Sequence, residues 1–156
     1  MNFDHFYKNG FQVIDADEIY LMKEIRSNVS KCIRDIVHEC NENDDFLINN
    51  LHTFNSFKNL SDSEFNEKRN TLIREVNKNF RITDDIFKAY KSSIKYLLGS
   101  DIIGQKFANI TIQKPWDNYP TCAHRDSPPN SYYEIVIWAP LTCLLYTSDA
   151  ADDQAC

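Results

Sequence analysis

Glycine is almost missing from this chain, with three residues in 156. Glycine supplies the positive-φ positions of tight turns at no steric cost. Three are too few for a complete β-rich domain with many such turns. A basic excess is missing as well. The formal charge is −6, which argues against a general nucleic-acid binder, because phosphate neutralisation needs a basic face. No apolar run approaches the length that spans a bilayer, so no membrane partner is expected. The N-terminus, MNFDHFYKNG, is polar and has no apolar core run of the kind a signal peptide carries. Of the five cysteines, Cys143 and Cys156 fall at the very end of the chain, and the spacings of Cys32, Cys40 and Cys122 match neither a zinc motif nor a disulfide framework. Free thiols in a reducing cytoplasm are therefore expected. There is no internal repeat, low-complexity stretch or linker that would divide the chain.

What is present suits one domain with a sizeable core. Hydrophobic residues make up 42% of the sequence and aromatics 13%, including ten Phe and eight Tyr. Phe6 to Ile14 contains a Gly turn followed by a short apolar alternation, which predicts an opening strand. Asp15 and Glu18 have capping-box spacing. Behind them Ile25, Val29, Cys32, Ile33, Ile36 and Val37 recur at helical spacing and predict a helix from about Ala16 to Glu39. Asn41 to Asp45 breaks it. Phe46 to Leu60 is apolar but rich in Asn and fits no single period. Ser61 and Glu64 form a second capping-box pair, ahead of the apolar face of Phe65, Leu72, Ile73 and Val76. A third helix is predicted from near Thr83, carrying Phe87, Tyr90, Ile94 and Leu97 and ending at Gly99.

The pattern then changes. Phe107 to Gln113 (FANITIQ) alternates with period 2, so Ala108, Ile110 and Ile112 share one face. Pro115 to Pro120 reads as a turn or loop. Tyr133 to Trp138 (YEIVIW) is β-branched and aromatic and is closed by Pro140. Between these runs stands a His-x-Asp pair, His124 and Asp126. An imidazole and a carboxylate two residues apart on extended backbone point to the same side, where both can grip one metal ion. Such a pair is two-thirds of the 2-His-1-carboxylate triad of non-haem Fe(II) oxygenases. That triad leaves coordination positions for a co-substrate and dioxygen. A solvated loop pair has the same spacing, so the flanking residues must decide.

Those flanks, NITIQKP before HRD and YEIVIWAPL after it, resemble the phytanoyl-CoA dioxygenase-like branch of the Fe(II)/2-oxoglutarate-dependent oxygenases. The closest likeness is to oxygenases of bacterial carbohydrate-biosynthesis clusters. The opening FYKNGFQVID also resembles that family's N-terminal segment. The clear match covers about thirty-five residues, with a weaker one across the helical part. The resemblance implies an α+β fold: a partial double-stranded β-helix (jelly roll) with an N-terminal helical layer. It makes His124 and Asp126 two iron ligands. It places Gln113 in the wall of the 2-oxoglutarate pocket and Trp138 facing the co-substrate. An exposed strand amide and an ordinary core aromatic are the alternatives for those last two. The implied reaction couples oxidative decarboxylation of 2-oxoglutarate by dioxygen to oxidation of a C–H bond. The implied substrate is a small molecule of the sugar or nucleotide-sugar class.

Two parts of the family pattern are not found. After Asp126 there is neither a His for the third ligand nor an Arg for the far carboxylate of 2-oxoglutarate. Pro128, Pro129 and Asn130 also replace the small turn the resemblance leads one to expect. From Cys143 the chain reads CLLYTSDAADDQAC, and its first ten residues resemble a translated transposase adapter. Residues 1–142 are thus expected to be the N-terminal part of one oxygenase domain, and 143–156 a non-native tail. Without the three tail aspartates the formal charge falls from −6 to −3. A chain with this ending is expected to be inactive by itself. Two other classes stay open: a non-catalytic α+β interaction domain whose HRD is a surface turn, and a cupin-like metal-dependent isomerase or hydrolase.

Overall fold

The computed structural model describes residues 3–37, 43–112 and 134–141. Within them the chain forms helices α1 (Phe3–Asn9), α2 (Ile19–Val37), α3 (Asp44–Asn49), α4 (Asp62–Asn79), α5 (Ile82–Ala89) and α6 (Lys91–Leu98), with a 3₁₀ turn at Leu51–Thr53.

α2 is the axis of the fold and packs on α3, α4 and α5. Its apolar residues recur so closely that Leu21, Ile25, Val29, Cys32, Ile33 and Val37 are all buried. Leu47 and Ile48 of α3, Phe54 and Phe57 of the following loop, Leu72 and Val76 of α4 and Ile82 of α5 complete one core cluster. Each such aliphatic side chain contributes about 1.5–3 kcal/mol when fully buried. Ser30 lies within this core, wholly buried, and its hydroxyl donates to the Asp44 carbonyl at 3.3 Å.

The helix ends follow local chemistry. Ser61 accepts from the Glu64 amide while the Glu64 carboxylate accepts from the Ser61 amide, which completes the capping box foreseen there. A cap of this kind is typically worth about 1 kcal/mol. Asn43 caps α3 by accepting from the Phe46 amide at 2.8 Å. Arg26 and Arg34 of α2 then bind Asp45 and Asp44 in the first turn of α3, at 2.6 Å and 2.5 Å. Gly99 ends α6 at φ 85°, a conformation that L side chains resist.

Four expectations need correction. Phe3–Asn9 is a helix rather than the start of a strand. Its turn closes through the Gly10 amide on the Phe6 carbonyl and the Asn9 side chain on the His5 carbonyl, and Gly10 stops it at φ 78°. α2 begins at Ile19, with the Leu21 amide on the Glu18 carbonyl, so the Asp15–Glu18 pair does not start it. The third helix is two, because the chain turns at Tyr90 between α5 and α6. The fourth is the largest. Among the described residues there is no β-strand, so the partial jelly roll is overturned. The described fold is an α-helical assembly with extended segments laid on it.

Candidate functional site

The stretch that carries the sequence signature enters this helical assembly at Lys106. Burial alternates strictly from Phe107 to Ile112: residues 108, 110 and 112 are half-buried and 107, 109 and 111 exposed. Ala108, Ile110 and Ile112 pack against the core cluster. The period-2 reading therefore assigned the faces correctly, although no strand pairs with the segment among the described residues. An amide does a strand's work instead. Asn77 of α4 accepts from the Ala108 amide at 2.9 Å through Oδ1, and its Nδ2 donates to the Ala108 carbonyl at 3.1 Å. This reproduces the two-bond exchange of an antiparallel residue pair. Two residues earlier, the Thr83 hydroxyl meets the Lys106 carbonyl at 3.5 Å. The backbone groups of Lys106 and Ala108 thus meet the helices.

The second signature segment is less well seated. Leu141 packs on the core cluster, but Val136 and Trp138 are 67% and 68% exposed. Gln113, His124 and Asp126 lie outside the described residues. Of the four expected site residues, Trp138 alone is among the described ones. Arg125, Pro128, Pro129, Asn130 and the tail from Cys143 also lie outside. Among the described residues no cluster of three His, Cys, Asp or Glu side chains is placed to hold a metal ion.

Other groups with chemical potential are engaged structurally. Cys32 is a free, buried thiol. Burial, then the Asp35 and Glu75 carboxylates, push its pKa up, and a hydrogen bond with Asn79 offsets only part of this. A thiol so placed is neutral and unreactive at neutral pH. Burial, then the Asp15 carboxylate, likewise pushes the Tyr90 phenol up. A surface groove of about 310 Å³ is lined by Ile36, Leu60, Glu64, Glu67, Lys68 and Thr71. Its Glu64 is already committed to the capping box, and the Ser61 hydroxyl and amide hold that carboxyl below its usual range.

Asn77 and Asp17 are the positioning residues that the sequence reading missed. Asp17 accepts from the Ser92 amide at 2.8 Å, in the first turn of α6, which has no cap of its own. For Asn77 a signal existed: it stands four residues after Ile73, inside the apolar stripe of α4. No helix among the described residues is long and apolar enough to cross a membrane. No family model matches the chain, and no curated protein or solved structure matches it either.

Proposed function

We propose that the chain supplies the first part of the metal site of an Fe(II)/2-oxoglutarate-dependent dioxygenase acting on a small molecule. A sugar or nucleotide-sugar is the substrate class that goes with this reading. One observation carries it: His124 and Asp126 stand two residues apart between FANITIQ and YEIVIWAPL. The alternate burial of 107–112 supports it, since that run behaves as the half-buried extended segment that the resemblance calls for. In this reading His124 and Asp126 bind Fe(II), while Gln113 and Trp138 serve the 2-oxoglutarate pocket. The protein's part is to place ligands and substrate, and the iron, when bound, supplies the oxidative chemistry.

With two ligands from its own sequence, the chain holds a divalent ion weakly and does not turn over. The test is titration with Mn(II) followed by electron paramagnetic resonance, for the wild type, His124→Ala and Asp126→Ala. Weak binding that either substitution removes is expected, with no succinate formed from 2-oxoglutarate under Fe(II) and ascorbate. Equal Mn(II) affinity in all three proteins defeats the proposal.

A second reading, a non-catalytic interaction domain, is favoured by a specific observation. Among the described residues every fully buried apolar side chain belongs to 21–94, and the signature segments add only half-buried ones at its edge. Under this reading the wild type binds no Mn(II) beyond what the two variants bind.

A further inference from the structure

We propose that Asn77 fixes the axial position of the 107–112 segment on the helical layer, and so sets where the chain beyond Ile112 begins. The apolar face alone cannot do this. Ala108, Ile110 and Ile112 repeat every two residues. A one-residue slip turns that face outward and is excluded by the pattern, but a two-residue slip keeps it inward. Such a slip moves everything that follows by about 6.6 Å, enough to dismantle any site built there.

The Asn77 side chain removes the ambiguity in three ways. It binds both the N–H and the C=O of a single residue, Ala108, which turns a sliding apolar contact into one fixed position. Its orientation is settled, because a backbone N–H only donates and so must meet Oδ1. It is also aimed in advance: Nδ2 donates to the Ile73 carbonyl of its own helix at 3.1 Å. The fork would accept any non-proline backbone, and the side chains at the neighbouring positions decide which residue it takes. A slip in one direction brings in Lys106 and turns its ammonium-bearing chain toward the apolar core. A slip in the other puts the larger Ile110 where Ala108 sits. Thr83 is the weaker anchor, since it makes one bond, at 3.5 Å, where Asn77 makes two shorter ones to a single residue.

Nuclear magnetic resonance on the full chain tests this. In the wild type the Ala108 amide should exchange at least about tenfold more slowly, relative to its intrinsic rate, than the Asn109 and Thr111 amides. Ile110 and Ile112 should each give one set of methyl signals. Asn77→Leu should abolish the Ala108 protection and broaden or double those signals while helical circular dichroism is retained. Asn77→Asp gives a readout that a merely space-filling residue would not move. Its carboxylate can accept from the Ala108 amide but cannot donate to the carbonyl, whereas the protonated acid can do both. The second bond, and with it one sharp set of Ile110 and Ile112 methyl signals, should therefore return as the pH is lowered toward about 4. Thr83→Val should leave the methyl signals single. An unprotected Ala108 amide in the wild type, or unchanged protection and single signals in Asn77→Leu, overturns the proposal. What this register means for a metal-binding stretch rests on the function proposed above. The exchange experiment uses no metal, so a chain that binds none yet shows this pattern defeats that reading and keeps this one.

Discussion

The helices from Ile19 to Leu98 and the segments 107–112 and 134–141 bury apolar residues in different ways. In the helical part, α2 is enclosed by three neighbours, and Ile25, Leu47, Leu72 and Val76 are at most 2% exposed. The segments touch the core with alternate residues and leave Phe107, Val136 and Trp138 largely in solvent. The segments are the richer of the two in β-branched and aromatic residues, so a lack of apolar side chains does not explain their greater exposure. What separates them is how backbone polar groups are satisfied. A helix satisfies its own and needs neighbours only for its apolar face. An extended segment must find partners along both edges. Here one edge meets Asn77 and Thr83, and no ladder forms among the described residues.

This contrast can be broken most sharply at Leu72. Leu72→Ala removes a side chain enclosed by helices and should cost about 2–5 kcal/mol in urea unfolding. A cost near that of an exposed site would mean that the helical part is not the stabilising unit. An intermediate effect is expected at the α2–α3 junction under acid. Burial opposes the Asp44 carboxylate, but hydrogen bonds from Arg34 and Ser27, with the charges of Arg34 and Lys31, outweigh it and hold the pKa below the usual range. A depressed folded-state pKa stabilises the fold above the unfolded value, and that contribution is lost as pH falls through the folded value. The urea midpoints of wild type and Asp44→Asn should therefore differ at pH 6 and converge below about pH 4. A constant difference across that range would remove the charge explanation. The smallest effect is expected at Trp138. At 68% exposed, its replacement by alanine should change stability by less than about 0.5 kcal/mol. A loss of several kcal/mol would place the second segment in the core and erase the distinction.

The same physics explains what could be read in advance. The Ser61–Glu64 box and the apolar faces of α2 and α4 are local or periodic, so residue order alone carries them. The alternation of 107–112 grouped Ala108, Ile110 and Ile112, which are the half-buried residues, but a period of two says nothing about what lies along the edges. The jelly-roll expectation rested on such edges being paired. The opening segment was misread for a related reason: apolar alternation over Phe6 to Ile14 competes with a short helix that needs no partner and is stopped by Gly10. The break at Tyr90 and the role of Asp17 depend on contacts across 75 residues, which no local pattern encodes. Of the candidate site, the sequence offers ligand types and spacing at His124 and Asp126. Of Gln113 and Trp138 it offers only which run each stands in, and in the structure Trp138 is turned to solvent.

The contact between the α2 lead-in and the α5–α6 turn has a practical meaning. The Asp17 and Glu18 amides both donate to the Ala89 carbonyl while the Asp17 carboxylate receives the Ser92 amide. Helices far apart along the chain are buckled together at this point, like the two ends of a belt. Shortening the protein from its front as far as Ile19 would spare every residue of α2 yet undo the buckle, and the fraying would surface first in α6, far along the chain from the cut.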